Sequence, residues 1–77
     1  MKLYGYRQDV NEDDEPPMKL GKVTLCADPA LLRRLSRFLT TVADQMEKHG
    51  SDFGHEHFED FEEPEADQPA FIITRSE

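Results

Sequence analysis

The chain has 77 residues, 36% of them hydrophobic and 34% charged, with a net charge of −8 at pH 7. That length holds one domain over 1–77 with a small core, and little room is left for a buried catalytic cleft. The negative balance argues against binding DNA, RNA or anionic lipid, whose phosphates would be repelled, and is compatible with a basic protein partner. The plain alternative is that the charge only keeps a small protein soluble. No run of about 18 apolar residues is present to span a membrane. The start, Met-Lys-Leu-Tyr followed within ten residues by a charged segment, is not the pattern of a secretory leader. A single cysteine, Cys26, gives no internal disulfide framework and fits a reducing, cytoplasmic setting; in an apolar run it reads as a small buried hydrophobe.

Residues 1–7, MKLYGYR, alternate like a strand, with Leu3 on one face and Tyr4 and Tyr6 on the other. Gly5 permits a close backbone approach. The stretch 9–17, DVNEDDEPP, carries five carboxylates and two prolines, which reads as a mobile acidic loop. A second strand is expected over 18–27, MKLGKVTLCA. Its apolar residues change phase between Leu20 and Val23, so a bulge or bend is expected around Gly21. The two strands form an antiparallel hairpin with a long loop.

The next stretch, 28–50, reads as one amphipathic helix with both ends marked. Asp28 is suited to N-cap, Pro29 to the first helical position and Gly50 to the left-handed closing residue. Leu31, Leu35, Phe38, Leu39, Val42 and Met46 recur at helical spacing, with Leu32 and Ala43 widening the stripe. Arg33, Arg34 and Arg37 crowd the first half, against the preference of the helix dipole; a nearby carboxylate cluster would relieve them. Residues 51–68 hold eight acidic residues and no lysine or arginine. Phe53, Phe58 and Phe61 pin their first half to the core, with a short strand or tight turn over 53–58, and 59–68 reads as a second mobile acidic loop broken by Pro64. The last strand is 69–75, PAFIITR.

Within the acidic stretch, His55-Glu56-His57 is the sharpest cluster. In an extended segment the two imidazoles share a side and can share a metal, with Asp52 or Glu59 adding an oxygen. Equally, one histidine can bond a neighbouring carboxylate and fix the turn, or titrate as a mild pH sensor. His49 falls in the last helical turn, where a cation suits the dipole. No phosphate loop, nucleophile elbow or cofactor signature occurs, so neither an enzyme nor a cofactor is expected. A negative surface docking on a basic partner, with Phe58 or Phe61 as apolar anchor, is the remaining functional feature.

Three stretches carry a family resemblance: Val23-Thr24-Leu25-Cys26-Ala27; the helix core Leu35-Ser36-Arg37-Phe38-Leu39 with Ala43-Asp44-Gln45-Met46-Glu47; and Phe53-Gly54-His55-Glu56-His57-Phe58-Glu59-Asp60. Together they resemble the immunity protein 32 family of bacterial polymorphic toxin systems over roughly 20–60, with a terminal hydrophobic strand. The resemblance implies a small α+β protein made beside a toxin, which it binds and neutralises in the producing cell. A nuclease toxin would suit the acidic balance, because such enzymes hold phosphate on basic surfaces.

The reading is an α+β fold of order β-β-α-(β)-β: a small three- to four-stranded, mostly antiparallel sheet with one amphipathic helix packed on one face. The other face, bearing some of Tyr4, Tyr6, Phe53 or Phe71, is left for a homodimer or another partner. Expected partner contacts are Glu56, Glu59, Asp60, Glu62 and Glu63, with Phe61 as anchor against a basic toxin surface. The alternatives are a metal- or pH-responsive binding protein using His55 and His57, and a structural assembly subunit.

Overall fold

In the computed structural model, which describes residues 1–64 and 68–76, one long helix stands between two short β-ribbons in chain order. The element order is β1 (Leu3–Gly5), β2 (Met18–Leu20), α1 (Pro29–His49), a 3-10 turn (Gly50–Asp52), β3 (His55–His57), a one-turn helix α2 (Phe58–Phe61) and β4 (Ile72–Thr74). None of the described helices is long and apolar enough to cross a membrane.

The α+β class is the expected one, but the four strands make two two-stranded antiparallel ribbons rather than one sheet. In the first, Leu3 pairs with Leu20, Tyr4 with Lys19 and Gly5 with Met18. Gly5 lets the two strands approach closely: a Cβ at that position would stand 3.0 Å from Leu20 Cδ1, so the leucine side chain would have to shift to admit one. The acidic connection is organised around Asn11, whose Oδ1 accepts from Asp13 N–H at 3.0 Å and whose amide donates to Asp14 at 2.9 Å, an Asx turn. The ladder ends at Leu20 with a bend at Gly21, where the phase change placed one. The expected strand beyond it, 22–27, forms no ladder, because strand propensity without a paired backbone does not make a strand, and Cys26, read from the sequence as a small buried hydrophobe, is therefore exposed.

Helix α1 has the ends its sequence marks. Asp28 Oδ1 accepts from Leu31 N–H at 2.8 Å, Pro29 begins the helix, and Gly50 takes φ 57° while its N–H bonds Met46 O. Leu35, Phe38 and Val42 are buried and, with Phe58, form the core among the described residues; Leu31, Met46, Phe53, Phe71 and Ile73 pack around them. Phe53 and Phe71 thus join the core rather than an open sheet face. Leu32 and Leu39 remain 46% and 43% exposed, although both fall on the apolar stripe. A ribbon two strands wide spans about 5 Å between strand axes, about half the diameter of a helix with its side chains, so one flank of α1 stays bare.

The second ribbon pairs His55 with Thr74, Glu56 with Ile73 and His57 with Ile72. Between its strands, where the sequence suggested an acidic loop from 59 onward, residues 58–61 close into α2. Phe58 N–H donates to Phe71 O at 2.8 Å and the Phe58 ring lies 5.1 Å from that of Phe38. Burial of one ring and capture of its amide hold the turn. The last part of the expected second loop, 65–67, lies outside the described residues. The Cα radius of gyration is 13.5 Å, against about 11.5 Å for a compact chain of this length. The excess agrees with a first ribbon that gives no residue to the core.

Candidate functional site

Strand alternation sorts the His-Glu-His segment. His55 and His57 share one face of the second ribbon, their ring centroids 5.1 Å apart, while Glu56 turns toward α1 and lies beside Phe38 and Val42. The histidine pair gains no metal-binding set: among the described residues no group of three or more His, Cys, Asp or Glu is placed to hold an ion. His57 Nδ1 instead lies 3.4 Å from Glu59 Oε2. His49 ends α1 with Lys48, as the dipole favours.

The carboxylates of the acidic stretch divide into two groups. Glu59 and Glu62 are engaged internally. Phe71 N–H donates to Glu59 Oε1 at 2.8 Å, tying α2 to the entry of β4, and this bond, helped by His57, holds the Glu59 carboxyl below the ordinary glutamate range. Glu62 accepts from Arg34 Nε and from Arg37 Nη2 at 3.3 Å. The Arg34 bond leads in holding the Glu62 carboxyl below its ordinary range, with Arg37 adding to it. Arg34 also donates to Glu63 O at 2.7 Å, and its guanidinium carbon stands 5.9 Å from the Phe58 ring centroid. The arginines that crowd α1 therefore fasten the chain leaving α2; Arg33 finds no such partner among the described residues.

Glu56 and Asp60 form the second group. With Phe38, Thr41, Val42, Gln45 and Phe61 they line a shallow hollow of about 130 Å³ beside α1. Among the described residues neither carboxylate has a hydrogen bond or ion pair. Glu56 is half-buried and Asp60 exposed. Phe61 stands 5.5 Å from Phe38 and is 38% exposed, a ring held by the core with part of its surface bare. Glu63 is exposed at the end of the turn. Of the six contacts expected from sequence, Glu56, Asp60 and Phe61 thus meet in one place, Glu63 lies nearby in the chain, and Glu59 and Glu62 face the fold's own donors.

Thr41 and Gln45 were not expected as site residues from the sequence, Gln45 entering only within the family stretch 43–47, yet both line the helix side of the hollow. The signal available was their spacing: they are four apart and flank the buried Phe38 and Val42, so they share the edge of the apolar stripe. The hollow presents two negative groups, two neutral polar groups and an aromatic edge. That set suits a guanidinium or ammonium, which pairs with carboxylates and can also lie against a ring.

Comparison with curated proteins and with solved structures gives no match. The family model for immunity protein 32 matches residues 22–76, which takes in α1, α2, the second ribbon and the hollow and begins just after β2. The chain belongs to the immunity protein 32 family and is an immunity protein.

Proposed function

We propose that this chain neutralises its cognate toxin by seating the Glu56–Asp60 hollow against a basic patch of that toxin, in the cytoplasm of the producing cell. The observation that carries this reading is the division of the carboxylates: Glu59 and Glu62 are bonded within the fold, while Glu56 and Asp60 surround a hollow with no partner among the described residues. Membership of the family supports a toxin as the partner. The protein does no chemistry on it: inhibition is occlusion, with long-range attraction raising the association rate and Phe61 providing the desolvated anchor. A nuclease fits as the toxin, since the basic surface that holds its phosphates is the one an acidic inhibitor covers.

Capture of the toxin encoded beside this chain's gene tests the proposal. Glu56→Gln with Asp60→Asn is expected to lose capture and protection while keeping the wild-type helical circular dichroism. Glu12→Gln with Glu15→Gln, which removes the same charge from the Asx-turn loop, is expected to keep both. Full protection by the Glu56→Gln/Asp60→Asn variant would overturn the assignment of the surface.

A further inference from the structure

A second surface lies on the other flank of α1. From Lys22 to Asp28 the chain runs without a turn or bend, and no backbone hydrogen bond is made by Lys22–Ala27 among the described residues. Six residues of strand-forming composition thus offer an unpaired backbone. Beside them is a groove of about 150 Å³ lined by Leu25, Cys26, Pro69 and Phe71 together with the buried Leu35 and Phe58. Val23 and Leu25 are 51% and 48% exposed. An unpaired edge beside apolar surface is a template for another strand.

We infer that this edge pairs with the same edge of a second copy, antiparallel about a two-fold axis at Leu25. The sequence is complementary to itself in that register. Leu25 faces Leu25, Thr24 faces Cys26, Val23 faces Ala27, and Lys22 faces Asp28 of the second copy, so two opposite-charge pairs close the ends. Asp28 uses only Oδ1 for the helix cap, which leaves its other oxygen for that lysine. A slip of one residue would set Lys22 against Ala27 and turn the exposed leucines to the other face. The edge carries a lysine and no carboxylate between Gly21 and Ala27. It therefore adds no carboxylate of its own to the repulsion between two chains of charge −8, and it offers no negative side chain to a basic toxin. Thr41 and Gln45 project from the opposite side of α1 to Leu32, so pairing leaves both acidic hollows open; the inference does not rest on the toxin reading.

Sedimentation of the full chain is expected to give twice the 8.9 kDa chain mass. Thr24→Pro, which removes a ladder N–H, is expected to return it to the single mass with helical content unchanged, and Lys22→Glu to weaken the dimer severalfold at low salt. As a check that does not depend on folding of the proline variant, Leu25→Cys in a Cys26→Ser background should oxidise readily to a covalent dimer. Leu39→Cys in the same background should not. A single-mass species at every concentration overturns the inference, as does cross-linking through Leu25→Cys no faster than through Leu39→Cys. A single-mass chain whose Thr24→Pro variant stops capturing the toxin overturns it too, and gives the edge to a toxin strand instead.

Discussion

The two ribbons have the same size and opposite roles. Each has three residue pairs in antiparallel register, so backbone pairing does not distinguish them. Their side chains do. The second ribbon brings Phe58, Phe71 and Ile73 onto α1, and its turn is tied by Phe58 N–H to Phe71 O and Phe71 N–H to Glu59. The first leaves Tyr4 and Met18 about half exposed and adds nothing to the core. An isolated two-stranded hairpin is marginal in water, so the ribbon that meets the helix carries the fold. The family match begins at Lys22, on the same side of that division.

The sharpest way to break this comparison is Phe38→Ala. Phe38 is 1% exposed and touches both Phe58 and Phe61. Truncating a buried phenylalanine costs about 3–5 kcal/mol, a large share of what a domain this small possesses. Urea titration should show the helix signal lost at little or no denaturant. A smaller effect is expected from acid. Glu59 and Glu62 both have carboxyls lowered from the ordinary value of 4.5, so their contribution is complete above that pH and is lost as pH falls below it through the folded values. Thermal melts should fall in that window, and Glu59→Gln or Glu62→Gln should flatten the acid limb. Asp28→Ala removes the N-cap bond and is expected to lower stability by about 1 kcal/mol. Smallest of all, Tyr4→Ala is expected to change stability by less than about 0.5 kcal/mol, and a chain starting at Lys22 should keep the α1 signal. Loss of the helix on that truncation would show that the first ribbon supports the core after all.

How much of this was legible in the sequence depended on how local the cause was. Asp28, Pro29 and Gly50 act within one turn of the chain, so α1 could be read to its ends. The bend at Gly21 followed from a change of phase within a single strand. Separation into two ribbons did not, because nothing in the pattern of residues 18–27 says whether a third strand will lie alongside. Without one, Val23 and Leu25 stay exposed. The exposure of Leu32 and Leu39 has the same origin. At the candidate site the residue types were readable, but the acidic stretch was too dense for spacing alone to say which carboxylates face outward. That choice is made by donors distant in sequence: Arg34 and Arg37 claim Glu62, and Phe71 N–H claims Glu59. The alternation of β3 then turns Glu56 to the hollow.

That division of carboxylates is the central claim, and the association rate with the cognate toxin tests it most directly when measured against ionic strength. Wild-type protein is expected to associate fast at low salt and to slow steeply as salt rises. The Glu56→Gln/Asp60→Asn variant is expected to start slow and to respond weakly. Equal salt slopes for the two proteins would contradict the account, because the attraction would then arise from carboxylates elsewhere on the chain.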